Sequence, residues 1–270
     1  MMNLVNRASR DEAAAVPVPA HTHYNAAAAK APRALRSVEA PSQRWRESLA
    51  LIERHVPFTR RTVHAGDSVQ GAGEPFTSLH IVNAGVFKTV NLAPDGREQM
   101  VGLHFKGDWI GFDGIASGRC ACDAIAMDTG EVWSVHYSAL LKAAAEVPAL
   151  MHALHAAMSG QLARDRDWLL ALGTLPADAR VADFVHGWAE ALAERGIRTD
   201  QVTLRMTRAE IGNYLGMTLE TVSRAFGKLA RCGLIRFDEK GRRDIAIPCV
   251  QALADFVQDS VNPPEPMLLQ

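Results

Sequence analysis

The chain has 270 residues, 48% of them hydrophobic, a formal net charge of −1 and four cysteines, at positions 120, 122, 232 and 249. That length fits one large or two ordinary domains with real cores. The near-zero charge excludes a polybasic nucleic-acid coat, and the cysteine spacing excludes a disulfide framework of the small secreted kind. No run reaches the roughly 18 apolar residues of a membrane span, and the N-terminus has no apolar signal core, so a globular cytoplasmic protein without membrane contact is expected.

In chain order, residues 1–40 are rich in Ala, Pro and His with few large apolar groups, which predicts a flexible arm that cannot offset the entropy of ordering. From Ser42 to about His55 an amphipathic helix is expected. Thr62 to Val135 then alternates short β-type runs (His80-Ile-Val-Asn, Val86-Phe-Lys-Thr-Val, Glu131-Val-Trp-Ser-Val) with Gly, Asp and Pro turns, as in an antiparallel roll or barrel. Asn91 to Gln99 reads as a hairpin tip within it.

The period changes over Val147 to Leu172. Leu150, Leu154, Met158, Leu162, Asp165, Leu169 and Leu172 fall at steps of 4, 4, 4, 3, 4 and 3, a stripe on a helix of about seven turns. Such a stripe either joins the core or forms a two-stranded seam about a twofold axis. In a seam, Asp165 would set two carboxylates against each other and weaken pairing.

The most informative stretch runs from Thr207 to Arg224 and on through Leu229 to Gly233. Thr207 caps a first helix, with Glu210 completing a capping box. Ile211 and Leu215 give that helix its apolar face, Gly212 permits close approach, and Gly216 makes the corner. Thr218 caps a second helix whose Val222, Ala225, Phe226 and Leu229 recur at helical spacing. Its opposite side carries Glu220, Thr221, Ser223 and Arg224. This is the pattern of a helix-turn-helix with a base-reading second helix. Arg224 can donate two hydrogen bonds to guanine and Glu220 can accept from cytosine; alternatively Glu220 only favours the helix N-terminus and pairs with Arg224. Phe237 to Ile245 reads as a β-hairpin presenting Lys240, Arg242 and Arg243, suited to phosphates or simply to solvent. With Thr207, Arg208, Thr218 and Thr221 these are the candidate DNA-backbone contacts. Residues 201–250 carry nine Lys and Arg against five Asp and Glu, a local surplus that phosphates would feel.

At these residues the chain resembles the Crp/Fnr family of bacterial transcription regulators, and its Fnr branch in particular. Glu220-Thr-Val-Ser-Arg224 is similar to the Fnr-type reader of TTGAT-like half-sites, whereas the Crp type has Arg where this chain has Leu219. The resemblance extends through Gly102 to Asp113 and Met158-Ser-Gly160 and covers roughly residues 50–255. It implies an α+β fold: an antiparallel β-roll of the cyclic-nucleotide-binding, jelly-roll kind (41–145), a long dimerisation helix (146–173) and a C-terminal winged helix-turn-helix (174–256), with a flexible tail at 257–270. It further implies a homodimer paired through Met158, Leu162, Asp165, Leu169 and Leu172, palindromic double-stranded DNA as target, and RNA polymerase as a partner of the tip at Asp95, Gly96, Arg97 and Glu98. Such a regulator, an activator or a repressor, would answer to oxygen, redox state or nitric oxide.

The sensor is where the chain departs from the family. Fnr proteins hold an iron–sulfur cluster on three N-terminal cysteines and one from the roll. Here no cysteine precedes residue 120 and Trp133 aligns with the roll ligand, so no iron–sulfur cluster is expected. Cys120-Ala-Cys122 reads as two ordinary thiols or as a weak metal or redox pair. Haem remains a candidate cofactor, with His152, His155, His21 and His23 eligible among ten histidines. The Crp-type cyclic-phosphate site would fall at Gly111-Phe-Asp113 and Arg119-Cys120, both off pattern. A cyclic-nucleotide-responsive regulator and a constitutive DNA binder therefore stay open as alternatives. The rival class, an enzyme, finds no support: the G-x-S-x-G, phosphate-loop and H-E-x-x-H motifs are all missing.

Overall fold

The computed structural model describes residues 41–93, 95–238 and 241–262. The arm expected over 1–40 lies outside them. Helix α1 (Pro41–His55) leads into β1 (Phe58–Val63), β2 (Ser68–Gln70), β3 (Ser78–Ala84), β4 (Phe87–Leu92), β5 (Glu98–His104), β6 (Trp109–Ile110), β7 (Asp123–Ala126) and β8 (Gly130–His136). These form two four-stranded antiparallel sheets, ordered β1-β8-β3-β6 and β2-β7-β4-β5. Alternation of side chains across each strand supplies the reason. Val82, Phe87, Ile110, Ala124, Ala126 and Val132 fill the space between the sheets, while Leu79, Ile81, Trp133 and Val135 face outward against α1 and the helices that follow.

Those helices are α2 (Tyr137–Glu146) and α3 (Pro148–Thr174). The roll expected to end at 145 thus closes with a helix of its own, and Pro148 opens α3, where its missing N–H is harmless. At 27 residues α3 has the expected length.

After α4 (Ala177–Ala193) come β9 (Gln201–Thr203), α5 (Arg208–Leu215), α6 (Leu219–Arg231), β10 (Arg236–Asp238), β11 (Gly241–Ala246) and α7 (Val250–Val261). The three strands pair in the order β10-β11-β9, forming the wing. Helix α7 carries the fold to Val261, so 257–261 belong to this domain and not to the tail expected from 257. Phe256 and Val257 pack against the core there, and an apolar pair of that kind holds a last turn in place.

The C-terminal core is not closed on itself. Val181, Val185, Ile211, Val222, Phe226, Leu229, Ile245 and Leu253 form one cluster with Val90, Met100 and Phe105 of the roll. The outer face of β4 and β5 is therefore a wall of the winged domain.

Candidate nucleic-acid interface

Thr207 adopts an extended backbone and its hydroxyl accepts the Glu210 N–H, while the Glu210 carboxylate accepts the Thr207 N–H at 2.9 Å. Both orphan donors of the first turn are satisfied reciprocally. The turn that follows depends on two glycines. A Cβ on Gly212 would lie 2.5 Å from the Met217 carbonyl oxygen, so only glycine lets α5 meet the start of α6. Gly216 has φ 62°, a left-handed conformation that closes α5 at little cost. Thr218 then accepts the Thr221 N–H at 3.2 Å and opens α6.

Helix α6 divides as its sequence requires. Val222, Ala225, Phe226 and Leu229 are buried, and Glu220, Ser223 and Arg224 are exposed on the other side, with Thr221 half-exposed between. The Glu220 carboxyl is held below the usual carboxylate range, first by its own backbone N–H, then by the Thr218 hydroxyl, with Arg224 contributing less. The acidic group is thus ionised and oriented at the leading end of the exposed face, and Arg224 is not consumed by it.

The flanking cations differ in their surroundings. The Arg208 guanidinium lies over the Phe226 ring, 3.4 Å from its centroid, and 5.8 Å from that of Phe237 in β10. It ties the start of α5 to α6 and the wing. Arg243 is exposed on β11, where its carbonyl accepts the Leu204 N–H at 2.9 Å. Lys240 and the side chain of Arg242 lie outside the described residues.

Several residues that the sequence did not single out hold this unit to the rest of the chain. Lys88 of β4 reaches the same Glu210 carboxylate at 2.9 Å, in a half-buried pair. Asn213 donates to the Glu98 carbonyl at 2.7 Å and accepts the Met100 N–H at 2.6 Å, and Gln99 donates to the Asn213 carbonyl at 2.5 Å. Arg195 donates to the Lys106 carbonyl at 2.7 Å and pairs with Asp108 at 3.3 Å. At the end of α3, Arg180 donates to the carbonyls of Leu172, Leu175 and Leu215, and Trp168 stacks on Tyr214 and donates to its carbonyl at 3.2 Å. Asn213 offered one signal in the sequence, a weak helix former inside a short helix.

The stripe on α3 is not a single face. Leu150 and Leu154 are buried and Met158 is half-buried against the roll, Leu162 and Leu169 are exposed, and Asp165 and Leu172 are half-buried. Each step of four advances about 40° around an α-helix, so three in succession carry Leu162 well away from Leu150. The steps of three then set Asp165 and Leu172 back by roughly 60° from Leu162 and Leu169. Burial raises the Asp165 carboxyl, and its charge in turn contributes to raising the Cys122 thiol, so it lies within electrostatic reach of the roll, off the leucine line. The β4–β5 tip is ordered by Asp95, which accepts from the Arg97 backbone at 3.1 Å and side chain at 2.7 Å; Asp95, Gly96, Arg97 and Glu98 are all exposed.

Residues 179–256 match a Crp-like helix-turn-helix domain and residues 60–146 a cyclic nucleotide-binding domain. The chain is 34% identical over 185 residues to the fumarate and nitrate reduction regulatory protein of Escherichia coli K12, covering 68% of this chain and 72% of that one. It belongs to the Crp/Fnr family. It is a DNA-binding transcription regulator of the Fnr-like kind. Among solved structures, FixK2 from Bradyrhizobium japonicum is 32% identical, with a TM-score of 0.66 over 74% of this chain and 97% of that one. A CRP/FNR family regulator from Thermus thermophilus, 19% identical with a TM-score of 0.60 over 75% of this chain and 100% of that one, shares the fold. The relatives are regulators of transcription, not enzymes.

The residues that the resemblance sets against the family's sensor are engaged in packing and backbone bonds. Trp133 is buried and stacked on Phe58, with centroids 4.6 Å apart. The Asp113 carboxylate accepts the N–H groups of Ala121 at 2.7 Å and Cys122 at 3.1 Å, and Arg119 donates to the Gly73 carbonyl at 2.8 Å. A carboxylate bonded to those two donors repels a phosphate there. The Cys120 thiol is raised by burial and by Asp113, and that of Cys122 is pushed up to about 11 by burial and three carboxylates. Thiols held protonated react slowly. Among the described residues no group of three or more His, Cys, Asp and Glu could hold a metal ion, and no helix is long and apolar enough to cross a membrane. His152 and His155 are exposed on α3, a poor setting for a haem ligand; His21 and His23 lie outside the described residues.

Proposed function

We propose that the regulator binds palindromic TTGAT-like half-sites as a homodimer, with Arg224 and Glu220 reading base edges and Ser223 supporting them. Thr207, Arg208, Thr218, Thr221, Lys240, Arg242 and Arg243 would take the phosphates. The observation that carries the reading is the exposed face of α6, where an ionised, oriented Glu220 lies one turn before an uncommitted Arg224. Carboxylate and guanidinium together match a cytosine and a guanine on neighbouring pairs. Pairing of two chains would run along α3, where Leu162, Leu169 and Leu170 are each more than half exposed; Met158, Asp165 and Leu172 lie beside that line. The Asp95 to Glu98 tip, exposed and held by the Asp95–Arg97 bonds, is suited to RNA polymerase.

The relatives named for fumarate and nitrate reduction support a signal of the kind the resemblance implies, oxygen, redox state or nitric oxide. Trp133 and the absence of any cysteine before residue 120 take that signal away from an iron–sulfur cluster, and the raised thiols take it away from simple cysteine oxidation. The bonds of Asp113 disfavour the cyclic-nucleotide alternative. Anisotropy titrations of a TTGAT palindrome, a Crp-type site and a scrambled duplex test the reading, which fails if the three bind alike. Ultraviolet–visible spectra with metal analysis on protein purified without oxygen decide between haem, cluster and ligand-free forms.

A further inference from the structure

Helix α5 is gripped at two points on one face by two adjacent strands. Glu210 and Asn213 are three residues apart, hence neighbours on the helix surface. Glu210 takes Lys88 from β4, and Asn213 takes β5. Strand β5 is the edge of its sheet, so alternate peptide groups point outward with no strand to receive them. The Asn213 amide meets two of these groups, the Glu98 carbonyl and the Met100 N–H, as a neighbouring peptide would. Gln99 returns a bond to the Asn213 carbonyl, which within the helix end receives only the long 3.4 Å bond of the Gly216 N–H. Two anchor points on two strands fix a helix in direction as well as place. Because Gly212 lets α5 and α6 touch without an intervening side chain, α6 follows α5 as a rigid pair.

We infer that Asn213 is a positioning residue through which the edge strand of the roll sets the angle of the reading helix, and with it the spacing at which two half-sites can be read. The inference rests on the proposal that the chain reads palindromes as a dimer. Asn213 itself touches the roll and not DNA, so its effect on reading would pass through geometry.

The test uses the full chain, fluorescein-labelled palindromes whose central spacer is varied by one base pair either way, and a single half-site. Wild type should favour one spacer. Asn213→Ala should reduce that preference about tenfold, in keeping with the loss of a small set of hydrogen bonds, while half-site affinity changes little. Asn213→Asp, which keeps the shape but loses the donor to Glu98, should fall the same way. Amide exchange at Met100 should accelerate in Asn213→Ala, which removes the acceptor, and not in Asn213→Asp, which keeps it. Lys88→Met perturbs the second anchor from the roll side and should give a smaller loss of the same kind, which keeps the inference testable if the Asn213 variants do not fold. Spacer preference retained despite faster exchange at Met100 would overturn the positioning role. Unchanged exchange in Asn213→Ala would show that the contact does not form in solution and would overturn it too. A wild type indifferent to spacing, binding palindrome and half-site alike, would instead remove the dimer reading, and this inference with it.

Discussion

The Arg208 guanidinium sits 3.4 Å above the centre of the Phe226 ring, well inside the roughly 6 Å over which an aromatic face attracts a cation. This one side chain therefore packs the motif and lies beside the DNA-facing surface. Arg208→Gln is expected to lower unfolding free energy by about 0.5–2 kcal/mol, as for loss of a partly desolvated cation–π contact. If its N–H edges also meet a phosphate, the slope of log K against log salt should shrink by about 1. Denaturant unfolding and salt titrations separate the two effects. Arg243→Gln, exposed and unstacked, should change the slope alone.

Arg224→Ala should remove about 1–3 kcal/mol of discrimination at a single base pair. A panel of singly substituted duplexes would show it as equal affinity for the correct and one mismatched base. Uniform weakening across the panel would make Arg224 a phosphate contact.

Asp165→Ala should raise stability at neutral pH, and would tighten dimers as well only where the carboxyl borders the leucine line of α3. Burial raises this carboxyl, so the folded chain holds its proton more strongly than the unfolded chain does. The charged form then costs stability above the folded titration, and the cost disappears as pH falls through the carboxylate range. The advantage of Asp165→Ala should shrink in the same window. Sedimentation over a concentration series and melting curves from neutral to acidic pH measure both; an unmoved monomer–dimer equilibrium would place Asp165 outside the seam.

His104 is buried, and burial lowers its pKa to about 4, with Asp108 opposing; His80 is lowered to about 4 by burial and then by Arg61. In the unfolded chain a histidine titrates near about 6.5. Between these values the unfolded state binds more protons, so stability is full above about 6.5 and falls as pH drops toward 4. His104 should account for up to about 3 kcal/mol of that fall, and half-buried His80 for less. His104→Gln should flatten the pH dependence of unfolding over this range.

The reading motif was legible because its constraints are local. The caps at Thr207 and Thr218, the corner at Gly216 and the buried side of α6 are fixed by residues within a few positions of one another. The roll was legible as alternation but not as two sheets, because pairings such as Phe58 with Val135 join residues far apart in the chain. The α3 stripe looked continuous because spacing alone does not show the slow rotation of four-residue steps. The grip on α5 could not be read at all: Lys88, Glu98, Met100 and Asn213 are ordinary singly, and only the fold brings them together.

The side-chain amide that meets β5 also hides an adhesive surface. An edge strand with free peptide groups is a template for pairing with another chain. While the winged domain is docked, Asn213 and Gln99 occupy part of that edge with bonds too few to propagate a sheet. Loss of that docking would uncover β5 together with the apolar Met100 and Val90 beside it, so the contacts that place the reading helix are also the ones that keep a sheet edge from meeting another chain.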